Sequence, residues 1–141
     1  MKATLPSKSA SAKLADSEKI TINLGFVDLG QIDLLVAEGF YGNRTDLIRT
    51  AIRNQLAQHA DAVKQAVARK TLVLGLQHFS AADLRALKAS RQKLRIRVLG
   101  LASIAHDVSP ELALATIESM DVLGALHASP AVKAALSARQ R

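Results

Sequence analysis

Cysteine is absent from this 141-residue chain, which excludes disulfides, thiolate chemistry and Cys-ligated zinc or iron–sulfur sites and suits a reducing compartment. Tryptophan is absent too, and aromatics make up only 3%, so any core has to be built from Leu, Ile, Val and Ala. No apolar run approaches the roughly 20 residues of a membrane span. The opening residues carry Lys2, Lys8 and Lys13 without a continuous apolar segment, which speaks against a secretory signal. A cytoplasmic protein without membrane contact is expected. There is no glycine-rich phosphate loop, because the glycines of the recurring Val-Leu-Gly motif stand singly. No serine, histidine and acid cluster is legible, and the apolar segments hold no paired carboxylates. No catalytic residue, enzyme activity, cofactor or metal is therefore expected.

Hydrophobic residues make up 49% of the chain, enough for a core, and the formal net charge is +7. The length suits one ordinary domain or two small ones. The basic balance favours a polyanionic partner without specifying one.

Residues 1 to 17 are rich in Ser, Ala and Lys without periodicity and read as a flexible basic arm. Asp16 and Glu18 offset much of its lysine charge, favouring a solubilising tail over an arm that touches phosphates. Lys19-Ile20-Thr21-Ile22-Asn23-Leu24 then alternates polar and apolar residues, the period of a half-buried strand. Its polar face, Lys19, Thr21 and Asn23, consists of side chains able to read base edges. A helix is expected from about Asp28 to Glu38, its buried stripe Leu29, Ile32, Leu35 and Val36, with Gly39 as its stop. Phe40 and Tyr41 are expected as wedges under the following turn. A second helix opens at Asn43-Arg44-Thr45-Asp46, a cap with an acid three residues on, and buries Leu47, Ile48, Ala51, Ile52 and Leu56. One strand beside two short helices leaves the strand's backbone groups unpaired. A second copy of the chain, paired strand to strand, is the economical partner.

After a helical connector over 59–70, the sequence repeats itself. Val73-Leu74-Gly75-Leu76 recurs as Val98-Leu99-Gly100-Leu101 and as Val122-Leu123-Gly124-Ala125. Each copy leads to a capping serine: Ser80 with Asp83, Ser109 with Pro110 and Glu111, Ser129 with Pro130. Three strand–turn–helix units are predicted, starting near Thr71, Leu94 and Met120 and stacking into a small parallel β-α array whose edges could serve self-association or partner docking. His78, His106 and His127 are each placed in a turn between strand and serine. A shared metal or pH-sensing site there lacks a carboxylate or cysteine at ligand spacing, and surface histidines are the reading adopted. Lys93, Arg95 and Arg97 alternate and read as the solvated outer face of a sheet rather than a second phosphate-contacting surface.

The stretch Lys19 to Leu56 resembles the ribbon-helix-helix DNA-binding family of the MetJ, Arc and CopG type. The carrying residues are Lys19 to Leu24, Leu34-Leu35-Val36-Ala37-Glu38-Gly39-Phe40-Tyr41, and Asn43-Arg44-Thr45-Asp46-Leu47-Ile48-Arg49-Thr50-Ala51-Ile52-Arg53. Family members often carry proline and acids after the strand, where this chain has Gly25-Phe26-Val27-Asp28. The resemblance implies an antiparallel ribbon shared by two chains and inserted in the major groove of double-stranded DNA. It puts Lys19, Thr21 and Asn23 against base edges, and the amides around Asn43, Arg44 and Thr45 against a phosphate.

The expected class is α+β: a ribbon-helix-helix domain over 18–58 with an intermolecular two-stranded ribbon, then a β-α repeat domain over 71–141 for assembly or for binding an effector or protein partner. The expected function is a homodimeric, sequence-specific repressor. The alternatives are the antitoxin of a toxin–antitoxin pair with a toxin-binding C-terminal half, a DNA-segregation adaptor, and a self-assembling protein that forms higher oligomers through residues 71–141.

Overall fold

The computed structural model describes residues 17–141, so all but Ser17 of the expected basic arm lies outside the described residues. The chain divides into two compact units, Met1–Ala60 and Asp61–Arg141.

In the first unit, residues 17–25 carry no regular secondary structure and lead into helix α1 (Phe26–Ala37). Helix α1 starts two residues before the expected Asp28, because Gly25 takes the extended cap conformation in place of a side-chain cap. It ends in a Schellman motif. Gly39 turns to φ 85°, its N–H donates to the Val36 carbonyl at 3.1 Å, and the N–H of Phe40 reaches back to Leu35 at 3.0 Å. Helix α2 (Arg44–Gln58) follows Asn43, whose Oδ1 accepts from the amide of Asp46 at 2.8 Å. The Asp46 carboxylate in turn accepts from Gly42 N–H at 2.9 Å, so cap and turn are locked together. No residue from 17 to 71 is buried. The expected apolar stripes are only half-covered: Leu29, Ile32, Val36, Leu47 and Ile48 are partly buried, while Leu35, Ala51, Ile52 and Leu56 are exposed. Phe40, expected as a wedge, is 70% exposed; Tyr41 is partly buried.

Helix α3 (Ala60–Lys70), all but its first residue in the second unit, precedes three strands, each followed by a helix: β1 (Val73–Phe79) and α4 (Ala81–Ala89), β2 (Leu94–Ile104) and α5 (Pro110–Thr116), β3 (Ile117–His127) and α6 (Pro130–Leu136). The strands form one parallel sheet in the order β1-β2-β3. The three Val-Leu-Gly segments lie side by side: Val73 faces Val98 and then Val122, and Gly75 faces Gly100 and then Gly124. Serine caps set the start of each helix that follows a strand. Ser80 and Asp83 make a reciprocal capping box, while Ser109 and Ser129 each accept from the amide three residues on, with proline in the first turn.

The core lies where the helices meet the inward residues of the strands. Ile96, Val98, Ala102 and Ile104 of β2 join Leu84, Leu112, Ala113, Ile117, Met120, Val132 and Leu136 in one buried cluster. The single buried polar side chain there, Thr116, donates to the Leu112 carbonyl at 2.7 Å, so its burial costs no hydrogen bond. Alternation sends the intervening residues to the other face: Leu74 and Leu76, Leu99 and Leu101, and Leu123. Two expectations need correction. β3 starts at Ile117 rather than Met120, because Thr116 passes straight from helix to strand with no intervening turn. His78 and His127 belong to β1 and β3 rather than to turns; both pair with Ser103 in register, and His78 Nδ1 lies 3.2 Å from Ser103 Oγ.

Candidate nucleic-acid interface

Two segments of the first unit carry the residues singled out from the sequence. The first is the stretch 17–25, where Lys19, Thr21 and Asn23 are exposed. The alternate positions are no better covered: Ile20 is 76% exposed, Ile22 58% and Leu24 40%. None of the backbone hydrogen bonds between described residues involves residues 17–24. The segment thus carries polar and apolar residues in alternation with neither set covered by the described residues. That is an unfavourable state for three aliphatic side chains, each worth about 1.5–3 kcal/mol when fully buried.

The second segment is the start of α2. A helix leaves its first amides without acceptors inside itself. Asn43 takes the amide of Asp46, and those of Arg44 and Thr45 remain at a helix end whose dipole favours an anion. Arg44 is not free to point where a phosphate happens to lie. Its Nε donates to Asp33 Oδ1 at 2.7 Å and its Nη2 to Asp33 Oδ2 at 2.8 Å, a bidentate fork that ties α2 to α1. The hydrogen bond from Arg44, and then its charge, hold the Asp33 carboxyl below its ordinary value, and the same bond raises the guanidinium. Sequence reading missed Asp33. It stands inside the apolar run Ile32-Asp33-Leu34-Leu35, eleven residues from its partner, where only the unusual placement of an acid among aliphatics hinted at a role. Arg49 and Arg53 are exposed farther along α2.

The structure therefore groups Asn43, Arg44 and Thr45 at one helix end, and groups Lys19, Thr21 and Asn23 along one alternating segment. Among the described residues no set of three or more His, Cys, Asp or Glu is gathered for a metal ion, and no helix is long and apolar enough to cross a membrane.

No curated protein and no solved structure shows a significant match to the chain. A sequence model of the Ribbon-Helix-Helix transcriptional regulator family matches residues 15–133. The match runs far past the stretch 19–56 that carries the resemblance in the sequence and takes in all three strands of the sheet, so the second unit belongs to the family pattern as well. The chain belongs to the Ribbon-Helix-Helix transcriptional regulator family.

Proposed function

We propose that two copies of the chain pair residues 19–24 into an antiparallel ribbon that enters the major groove of double-stranded DNA, and that the dimer represses transcription by occluding a promoter. The observation that carries this reading is the lack of any buried residue from 17 to 71, although the apolar positions recur at strand and helix periods. A second copy supplies both the missing strand partner and the missing apolar cover. Within the ribbon, Lys19 donates to guanine O6 and N7, Asn23 pairs with adenine N6 and N7, and the Thr21 methyl meets thymine. The amides of Arg44 and Thr45 hold a backbone phosphate and set the register, with Asn43 fixing their orientation.

The second unit, with its own core and its three strand–helix pairs read as repeats, serves assembly or ligand binding. That core disfavours the antitoxin alternative, in which the C-terminal half folds on its toxin. The test is a binding comparison between a selected operator and random duplex at one salt concentration. Asn23→Ala and Thr21→Ala lose about 1–3 kcal/mol of preference each and keep nonspecific binding. If both variants retain the full preference, the ribbon does not read the sequence.

A further inference from the structure

The amino-terminal ends of the strands hold a cleft that the ribbon reading leaves unused. Two adjoining cavities of about 180 and 160 Å³ share Arg97, Ser119 and Arg141. The larger is closed by Lys70 and Asp121, the smaller by Arg95 and Glu118.

Three departures from regular backbone converge on it. Leu94 pairs with Ile117 but Arg95 with Ser119, so Glu118 is an extra residue, the signature of a bulge that re-aims a side chain. Its carboxylate accepts from Arg95 Nε at 2.5 Å. Thr71 sits at φ 52°, which β-branched residues rarely adopt, and its hydroxyl accepts from Arg97 Nη1 at 2.9 Å while donating to the Lys70 carbonyl. Beside β3, Gln140 bridges to Met120, and the Arg141 amide donates to the Met120 carbonyl at 2.9 Å. Arg139 fastens the preceding turn to the Leu114 and Ile117 carbonyls.

The chemistry of the cleft is specific. Among the lining side chains four cations stand against two carboxylates, an excess of two positive side chains. Arg95 is engaged by Glu118. Arg97 is oriented through one nitrogen by Thr71, and the rest of its fork can take an anion in bidentate fashion. Register puts Arg97 beside Asp121 and Arg95 beside Ser119, so a hydroxyl donor and an acid flank the guanidinium groups. At liquid density each cavity holds roughly five or six waters, enough for a phosphate and a few further atoms and too small for a duplex. The acid repels a bare polyanion but accepts from a hydroxyl or amino group. The matching ligand thus carries a phosphate at one end and hydrogen-bond donors at the other.

We propose that this cleft binds a small phosphomonoester, its phosphate held by Arg97, Arg141, Lys70 and the Ser119 hydroxyl, and its hydroxyl or amino groups received by Asp121. The proposal does not rest on the ribbon reading. Duplex DNA offers the same phosphate chemistry, and the test separates the two sources.

Calorimetric titration of the full chain at fixed ionic strength uses inorganic phosphate, ribose 5-phosphate and ribose as probes. Ribose 5-phosphate is expected to bind saturably and more tightly than phosphate, and ribose not at all. Arg97→Gln weakens binding about tenfold, the scale of one charge-assisted hydrogen bond, whereas Arg85→Gln on α4 leaves it unchanged. Ser119→Ala, which touches neither the Thr71 contact nor the core, gives a smaller loss and stands in should Arg97→Gln unfold. Three results overturn the proposal. The first is no saturable binding of either phosphate probe, and the second is an equal loss in Arg85→Gln. The third is unchanged probe binding in Arg97→Gln together with a fall of about 0.9 in the salt slope of duplex binding, which assigns the guanidinium to DNA.

Discussion

A Cβ added to Gly100 would stand 2.2 Å from the carbonyl oxygen of Gly75. The relation repeats one strand on, where a Cβ on Gly124 would stand 2.1 Å from the Gly100 oxygen. Gly100 also has φ 141°, outside what other residues adopt readily. The central glycine is thus required by its backbone angle and by close approach of the neighbouring strand. Gly100→Ala is expected to destabilise the fold by on the order of 3 kcal/mol. Gly75, at φ 122° on the edge strand with nothing near its missing Cβ, bears only the conformational cost, about 1–2 kcal/mol on substitution. Urea unfolding followed by circular dichroism measures both, and equal losses would contradict the side-by-side stacking of these glycines.

What the sequence made legible is what local chemistry determines. Asn43, Ser80 with Asp83, Ser109 with Pro110 and Ser129 with Pro130 announce helix starts because each cap is a bond between residues three apart. The recurrence of Val-Leu-Gly was equally visible, since strands of like sequence can stack in register. Nonlocal pairings were not visible. Arg44 meets Asp33 across a helix–helix turn, and Arg95 meets Glu118 only because a bulge displaces one residue of β3. The basic alternation Lys93, Arg95 and Arg97, read from sequence as a solvated face, is largely engaged: Lys93 donates to the Ala115 carbonyl, Arg95 to Glu118 and Arg97 to Thr71. The histidines of β1 and β3 looked like turn residues because they precede the capping serines so closely.

The exposure of Ile20, Ile22 and Leu24 makes oligomeric state the next test. The chain is expected to sediment as a dimer at micromolar concentration, with a melting temperature that rises with concentration, because the partner binds only the folded state. Ile22→Lys places a charge at the centre of the shared apolar face and is expected to shift the equilibrium to monomer while leaving the second unit folded. A wild-type chain that remains monomeric and equally stable across a hundredfold concentration range removes the basis for the ribbon.

Arg44 has two possible duties, and Asp33 separates them. Arg44→Ala is expected to weaken binding to every duplex and to flatten the dependence on salt by about one phosphate contact. Asp33→Asn removes the carboxylate charge but keeps the arginine. Retained or tighter DNA binding in Asp33→Asn, alongside the loss in Arg44→Ala, assigns the effect to the guanidinium at the helix end. Parallel losses in both variants mean that the ion pair matters only for holding α1 against α2.

Acid sensitivity follows from the capping box of α4. The Asp83 carboxyl is held below its ordinary value first by the Ser80 amide, which donates to it at 2.9 Å, and then by the Ser80 side chain. A carboxyl whose value is lower in the folded chain stabilises the fold fully above its unfolded value, and that contribution is lost as pH falls through the folded one. The relevant window therefore lies below about pH 4. Asp83→Asn is expected to be less stable than the wild type at neutral pH, since an amide oxygen accepts more weakly from the Ser80 amide and carries no charge at the positive end of the helix. The difference should close as pH falls through the lowered folded value, where the wild-type carboxyl becomes protonated and also offers only a neutral acceptor. Urea unfolding at the two extremes decides the matter. A gap of constant size would place the effect in the shape of the side chain instead of its charge, and the helix dipole would then have no part in anchoring the first strand–helix connection of the sheet.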